Sequence, residues 1–294
     1  MRKRRVFRSA VLGATGIALV AGVTTLASAA PAPQAAPVAL SHPAAAPKPT
    51  IVLVDGAWSN SQSWGDVTRS LQAAGYPVVA PPTALRSLSG DSALLASYLK
   101  TIQGPIVLVG QSYGGAVITS AATGNPNVKA LVYISAFEPD MNENVTTLTG
   151  QFPGSHISTD PTAMPPTALS PVPVPYPNPH GDPEIELYAK AAQYRDLFFS
   201  NRVSAATAAE LAATQNPVAS AALGESLAGE PGWKTIPSWT LVSTADHLIP
   251  TAAERFMATR AHSHIVEANT PHAAQVTNPG IVVNLIERAV AGTR

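Results

Sequence analysis

A serine at position 112 stands in a pattern that could supply a catalytic nucleophile. Gly110 and Gly114 lie two residues to either side of Ser112, and glycine lets a tight turn pass close to neighbouring backbone because it has no Cβ. A turn of this kind presents the serine hydroxyl at its tip, where it can attack a carbonyl carbon. The alternative is an ordinary strand-to-helix turn with an incidental serine, since Gly-x-Ser-x-Gly alone is a weak pattern in a chain with 20 glycines.

A serine hydroxyl is a poor nucleophile unless a histidine takes its proton and an acid orients that histidine. Among the seven histidines, His272 is the candidate base, because it follows the last predicted strand in a loop that would reach the turn at Ser112. Asp246, which follows the preceding predicted strand, is the candidate acid and gives the chain order Ser, Asp, His. An ordinary surface histidine is the alternative for the base. Asp140 is the alternative for the acid, unless it or Glu138 only caps the segment that follows.

The reaction also needs two backbone N–H groups to stabilise an oxyanion. Tyr113, directly after the serine, is expected to supply one, and the loop at 55–58 must supply the second. The chain has no cysteine, which excludes a thiol nucleophile and a cysteine-based metal site. We expect no metal and no cofactor, because no His-x-His or Glu-rich cluster lies near Ser112, while His262 and His264 would alternate across an edge strand.

The elements that would hold these residues alternate between strand and helix from residue 50 onward, which predicts a largely parallel sheet covered by helices. The run 106–109 contains no polar residue, which indicates a strand buried on both faces that leads into the turn at Ser112. The predicted strands are 51–54, 78–80, 106–109, 130–134, 239–242 and 265–266. The predicted helices are 64–74, 94–102 with Asp91 as its cap, the segment from Gly115 to Ala122, 252–260, and a last helix from Pro279 with Asn278 as its cap.

This alternation stops in a long central segment. Residues 153–183 contain ten prolines, and helical spacing of apolar residues resumes over 185–198. An insertion at about 141–233 would lie over the carboxyl ends of the strands, so we predict a helical cap or lid above Ser112. The alternative is a long surface loop with no role in binding. Apolar side chains expected to face the reacting centre, each of which could instead belong to the core, are Trp58, Phe137, Tyr188, Phe198, Phe199 and Leu248.

The amino-terminal segment has the features of a secretory signal peptide. Five basic residues and no acid precede an apolar stretch, and a small-residue cleavage site follows at 27–29. We therefore expect residues 1–29 to be removed on export, leaving an extracellular protein with an Ala/Pro-rich linker at 30–49 and a domain at 50–294. The export route, Sec or twin-arginine, stays open.

The charge of the mature chain limits its partners. Removal of residues 1–29 leaves 13 basic against 18 acidic residues and no Lys/Arg-rich run. This balance argues against nucleic acid and against anionic membranes as partners, and no second apolar span follows that would keep the chain in a membrane. A small-molecule substrate is therefore expected, whereas the composition leaves the oligomeric state open.

Six motifs follow one another from residue 51 to the carboxyl terminus: VLVDGAW, GQSYGGA, LVYISAFEPD, TQNPVASAAL ahead of WKTIPSW, STADHLIP and PHAAQVTNP. Together they resemble the α/β-hydrolase superfamily, and within it the small serine esterases that include salicylate methylesterases, hydroxynitrile lyases and pyrethroid-type carboxylesterases. The resemblance implies an α/β-hydrolase fold and a serine esterase that works through an acyl-serine intermediate without a cofactor. Position by position, it makes Ser112 the nucleophile, His272 the base and Asp246 its orienting acid, with the N–H groups of Ala57 and Tyr113 as the oxyanion hole.

Two residues depart from the family pattern. Asp55 and Gln111 stand where relatives usually have histidine, and a carboxylate at Asp55 would add pH dependence or reshape the pocket entrance. The serine at 112 differs from the aspartate of related dehalogenases and epoxide hydrolases, and the additional pocket lysine of the lyases has no evident counterpart.

We therefore expect a secreted hydrolase of small-molecule carboxylic esters. Hydrolysis of an amide, a lactone or a carbon–carbon bond on the same triad is the first alternative, because only the pocket separates these substrates. A hydrolase-fold module that binds a ligand with little turnover is the second, because Asp55 replaces the usual histidine.

Overall fold

A sheet of six parallel strands organises the part of the chain that the computed structural model describes, residues 47–177 and 183–293. The predicted signal peptide at 1–29 and all but the end of the linker at 30–49 lie outside these residues. Within the described residues, no helix is long and apolar enough to cross a membrane. The strands of this part are β1 (Thr50–Val54), β2 (Val78–Val79), β3 (Ile106–Ser112), β4 (Val128–Ala136), β5 (Leu169–Pro177), β6 (Pro183–Ala189), β7 (Val218–Ala219), β8 (Ser238–Ser243) and β9 (His264–Ala268).

The parallel sheet has the strand order β2-β1-β3-β4-β8-β9. Helices cover both of its faces, and successive residues of β3 point alternately into two apolar clusters. The helices of the described residues are α1 (Gly65–Ala73), α2 (Leu88–Leu99), α3 (Tyr113–Ala121), α4 (Val145–Gly150), α5 (Ala191–Phe199), α6 (Ala205–Ala213), α7 (Ser220–Gly224), α8 (Thr251–Arg260), α9 (Ala274–Thr277) and α10 (Pro279–Gly292). Ile106 and Leu108 pack with α2 and α3 on one face, whereas Val107 and Val109 pack with α1 and α10 on the other.

The six strands predicted from the sequence are those of the parallel sheet, and the predicted α/β class is confirmed. Pro279 opens α10 as predicted, although the side chain of Asn278 does not cap the helix. The prediction that Asp91 caps α2 is wrong, because the helix begins one turn earlier with Ser87 as its cap. Asp91 lies inside the helix instead, where its carboxylate accepts a hydrogen bond from the Tyr113 hydroxyl at 2.8 Å.

The insertion at 141–233 contains helices α4 to α7, and it also holds an antiparallel sheet of β5, β6 and β7 that the sequence did not predict. Residues 183–189 form a strand, so the helical spacing proposed from residue 185 begins only at Ala191. Strand β5 lies at the edge of this sheet and carries proline at every second position from 171 to 177. An antiparallel edge strand directs every second N–H away from its partner, so prolines spaced in this way cost no ladder hydrogen bonds.

Candidate active site

Ser112 occupies the turn between β3 and α3 with φ 54° and ψ −127°. A residue with a side chain rarely adopts positive φ, and such strain persists only where the surroundings fix it. Those surroundings are tight: a Cβ at Gly110 would lie 2.6 Å from the Gly114 carbonyl oxygen, and one at Gly114 would lie 2.6 Å from the Val54 carbonyl oxygen. The glycines therefore allow the close backbone packing that holds Ser112 at the tip of the turn.

Asp246 and His272 form a buried pair at the carboxyl ends of β8 and β9. Asp246 Oδ2 lies 2.6 Å from His272 Nδ1, and neither side chain is exposed. The other carboxylate oxygen of Asp246 accepts hydrogen bonds from the N–H groups of Leu248 at 2.6 Å and Ile249 at 2.8 Å. An imidazole that donates from Nδ1 to this carboxylate keeps Nε2 as its acceptor, which is the form a general base requires.

Nε2 of His272 is buried and has no hydrogen-bond partner among the described residues, Ser112 included. Catalytic hydrogen bonds are often long without substrate and shorten only in the reacting complex. The residue before the serine nevertheless links the two parts of the site, because the Gln111 side-chain amide donates to the His272 carbonyl at 3.2 Å. Gln111, which stands where relatives usually have histidine, thus makes a structural contact with the histidine loop.

The alternative acids have other partners. Asp140 is half-buried and pairs with Lys234 at 3.2 Å, whereas Glu138 accepts hydrogen bonds from the hydroxyls of Thr240 at 2.9 Å and Ser263 at 3.0 Å. Burial raises the pKa of Glu138 to about 8, because little water is left to solvate its charged form. Of the three acids considered, Asp246 is the one in contact with His272.

A further carboxyl group, which the sequence analysis missed, lies behind Asp246. Glu254 on α8 is 1% exposed and accepts a hydrogen bond from the Ser243 N–H at 2.8 Å. Burial and the neighbouring charge of Asp246 raise the pKa of Glu254 well above its ordinary value, which favours the neutral form of this group. No signal in the sequence distinguishes this glutamate from an exposed residue of an amphipathic helix.

The candidate oxyanion residues face the same cavity as Ser112. Ala57 and Tyr113 both line it, and a Cβ at Gly56 would lie 2.6 Å from Ser112 Cβ, so the loop after β1 packs directly against the serine. Trp58, the next residue in this loop, has φ 59°. Two hydrogen bonds tie it to the insertion: its indole donates to the carbonyl of Leu187 at 2.8 Å, and its own carbonyl accepts from the Tyr194 hydroxyl at 2.8 Å. The insertion thus holds the oxyanion loop in position.

The cavity above Ser112 has a volume of about 760 Å³, within the range of small-molecule binding sites. The predicted residues Trp58, Phe137 and Leu248 line it. Residues of the insertion form one wall of this cavity. Wall residues that the sequence analysis did not single out include Val145, Thr149, Phe152, Ile157, Met164, Leu169, Ile185, Leu187 and Leu223.

Three of the predicted pocket aromatics lie outside the cavity lining. Tyr188 is half-buried, and its hydroxyl donates to Glu186 at 3.3 Å. Phe198 stacks on Tyr194, with ring centres 4.3 Å apart, and its edge meets the His272 ring at 5.7 Å. Phe199 is part of the apolar core. Apolar spacing along α5 cannot separate a side chain that supports the histidine from one that faces a ligand.

Asp55 is the first residue of the loop after β1, and its side chain is buried away from the cavity. Its side chain is 4% exposed and takes no part in the cavity lining. Burial raises the pKa of Asp55 to about 7 and outweighs the opposite effect of the nearby Trp64 indole N–H. Neither Asp55 Oδ1 nor that N–H has a partner with hydrogen-bond geometry within the described ranges. The raised pKa gives the pH dependence expected of Asp55 a physical basis. A reshaped pocket entrance has no such basis, because Asp55 does not line the cavity.

Comparison with known proteins agrees with this geometry. Residues 51–285 match the family described as the alpha/beta hydrolase family. The carbendazim hydrolyzing esterase of Nocardioides sp. (strain SG-4G) is 33% identical over 110 residues, which cover 33% of this chain and 46% of that protein. The match thus spans less than half the length of that relative.

Solved structures show the same fold. Polyneuridine aldehyde esterase superposes with a TM-score of 0.67 at 17% identity, over 82% of this chain and 98% of the other. A pyrethroid hydrolase from Sphingobium faniae JZ-2 gives a TM-score of 0.63 at 20% identity, over 83% and 97%. With most of its described residues matched in sequence and in fold, the chain belongs to the alpha/beta hydrolase family.

Proposed function

We propose that this protein hydrolyses carboxylic esters of small molecules through an acyl-serine intermediate on Ser112. The observation that carries the proposal is the strained turn at Ser112, which opens into a cavity also lined by Ala57 and Tyr113. The buried pair of His272 and Asp246, linked to the residue before the serine, supplies the base and its orienting acid.

The reaction follows from these positions. Ser112 Oγ attacks the ester carbonyl carbon while its proton passes to His272 Nε2, and the negative charge on the carbonyl oxygen is stabilised by the N–H groups of Ala57 and Tyr113. The imidazolium then gives that proton to the departing alcohol, leaving an acyl group on the serine. Water attacks the acyl carbon with the same base, releases the carboxylic acid and restores the serine hydroxyl. Asp246 stays charged throughout and stabilises the imidazolium.

The cavity favours esters with an apolar acyl or alcohol part. Its wall is made mainly of aliphatic and aromatic side chains from the insertion and from Trp58, Phe137 and Leu248. Apolar surface of this kind stabilises a bound hydrocarbon group by about 25 cal/mol for each Å² removed from water. We therefore propose that activity rises with acyl length until the cavity is filled.

A panel of p-nitrophenyl esters of increasing acyl length tests the proposal. We expect turnover by the natural chain, and a loss in kcat on the order of 10⁴ to 10⁶ for Ser112→Ala. Ser120→Ala is the matched control, because Ser120 is a half-buried serine on the same helix α3 and lies outside the cavity lining. Substantial activity in Ser112→Ala would overturn the assignment of the nucleophile.

The panel also separates the alternatives. A protein that reacts with a fluorophosphonate but turns over none of the esters is an amide, lactone or carbon–carbon bond hydrolase. A protein that does neither is a ligand-binding module.

We also propose that the protein is exported and cleaved after Ala29. The support is the basic, apolar and small-residue order of residues 1–29. Expression of the full chain in a related secreting host should give soluble protein in the medium with Ala30 as its first residue. Uncleaved protein that stays with the cells would contradict this proposal.

A further inference from the structure

Three side chains of metal-binding type meet outside the proposed triad. Nδ1 of His156 lies 2.6 Å from one carboxylate oxygen of Asp196, and Nδ1 of His247 lies 3.0 Å from the other. One ligand atom from each of the three residues lies within 4.8 Å of the others. His156 follows α4 in the insertion, Asp196 lies on α5 and His247 follows β8, so the fold brings together three segments that are distant in the sequence.

The group is held in place by its neighbours. The main-chain N–H of His156 donates to the carbonyl of His247 at 2.7 Å, and the two imidazole rings lie 4.1 Å apart with a 34° tilt. The Asn201 side-chain amide donates to Asp196 Oδ1 at 2.8 Å. Hydrogen bonds of this kind, from a surrounding residue to a carboxylate ligand, fix the orientation of metal ligands in proteins.

The composition and exposure of the group suit a divalent cation. Two imidazoles and one carboxylate are a ligand set that zinc takes, with water in the fourth position. The side chains of His156, Asp196 and His247 are 49%, 34% and 29% exposed, so both a cation and its water can reach them. Within the described ranges, Asp196 has no lysine or arginine partner, and its carboxylate contacts the two imidazoles and the Asn201 amide.

We propose that His156, Asp196 and His247 bind a zinc-type divalent cation that fastens the insertion to the loop carrying Asp246. Zinc–nitrogen and zinc–oxygen bonds of about 2.0 to 2.2 Å place tetrahedral ligands roughly 3.3 Å apart. The present nitrogen–oxygen distances of 2.6 and 3.0 Å need to open by less than about 1 Å. The cation takes the place of the Nδ1 protons, and each imidazole stays a neutral ligand because its proton moves to Nε2 by exchange with water.

The proposed cation site lies beside the cavity wall and beside the loop that carries Asp246. His156 lies between Ser155 and Ile157, which line the cavity, and His247 lies between Asp246 and the cavity residue Leu248. A cation at this point joins the cavity wall to the acid loop without contacting Ser112. The sequence led us to expect no metal, and it offered no sign of this cluster because nothing in it links His156 to His247.

The proposal is tested by titrating untagged, metal-free protein with Zn²⁺ in a calorimeter and following the visible spectrum on addition of Co²⁺. We expect one equivalent to bind, a cobalt spectrum of the intense four-coordinate type, and a melting temperature several degrees higher at about a hundredfold excess over Kd. His156→Gln and Asp196→Asn should each weaken binding by at least about tenfold.

His264→Gln is the matched control, because His264 is an exposed histidine outside the cluster, and it should bind as the natural chain does. Melting curves without metal show that each variant is folded, and His247→Gln replaces any variant that is not. Absence of saturable binding, binding that survives His156→Gln, or binding lost in His264→Gln would each overturn the proposal. None of these readouts requires ester turnover, so the proposal stands or fails independently of the proposed function.

Discussion

The carboxylate of Asp246 makes contacts through both of its oxygens. It accepts hydrogen bonds from two main-chain N–H groups through one oxygen and contacts His272 through the other. These three contacts fix the orientation of the carboxylate. This arrangement lets the residue orient an imidazole and stabilise its positive charge.

Asp246→Asn should therefore lower kcat for a preferred ester by roughly 10³ to 10⁴, because the amide favours the wrong tautomer of His272. Asp140→Asn is the matched control and should change kcat by less than a few fold, since Asp140 contacts Lys234 instead. Initial rates at saturating substrate measure both. The opposite ranking would move the acid to the end of β4.

Asp55 makes stability depend on pH. Its pKa is about 7 in the folded protein against an ordinary 3.8, so between these values the folded state binds more protons than the unfolded state and stability falls as pH rises. Full ionisation costs on the order of 4 kcal/mol. The asparagine of Asp55→Asn does not titrate. The free energy of unfolding of this variant should therefore exceed that of the natural chain by an amount that grows from about pH 4 to about pH 8.

Urea denaturation across that range measures the gain, with Asp66→Asn as a control that removes an exposed carboxylate from α1. A gain for Asp55→Asn that does not change with pH would show that Asp55 is not neutral at low pH in the folded protein.

For individual residues, the sequence predicted the features that depend on chain order and on local turns. Glycine spacing predicted the tight turn at Ser112, and the order of strands predicted that Asp246 and His272 follow β8 and β9. The raised pKa values of Glu254 and Asp55 could not be predicted, because both arise from burial and neighbouring groups in the folded protein.

Among the elements, the insertion shapes the cavity while the parallel sheet holds the reacting groups. Alternating apolar strands and helices predicted that sheet well, since its central strands β1, β3, β4 and β8 are short runs that are almost wholly buried. The small sheet of β5 to β7 escaped prediction, because its edge strand is rich in proline and β6 has apolar residues that also fit a helical spacing. Pairing between β5 and β6 is what decides the structure there.

The loop at 159–166 allows the role of the insertion to be tested without removing β5 or His156. Pro161, Ala163 and Met164 in this loop line the cavity. Replacing the loop with a short Gly/Ser linker should lower kcat/KM for long-chain esters about ten- to a hundredfold more than for acetate esters, because apolar contacts to the acyl chain are lost.

Melting temperature serves as the control in that experiment. Equal losses on long and short esters, with an unchanged melting temperature, would mean that the loop does not select substrate.

At the scale of the whole described molecule, the serine, the loop after β1 and the histidine come from different parts of the fold. Gly56 packs against Ser112, and the hydrogen bond from Gln111 to the His272 carbonyl links the serine turn to the histidine loop. Ser112 comes from the centre of the sheet, Ala57 from the end of β1, and His272 from the loop after β9. The insertion closes the cavity over them and is tied to the oxyanion loop through Trp58. We therefore propose that an ester bound in this cavity acylates Ser112.

The most direct test of that claim is intact-mass spectrometry, followed by peptide mapping, of protein treated with a fluorophosphonate in the presence and absence of a competing ester. We predict one adduct for each chain, located on Ser112, slowed by the ester and absent from Ser112→Ala while unchanged in Ser120→Ala. An adduct on another residue, or no adduct with a protein that turns over esters, would contradict the account.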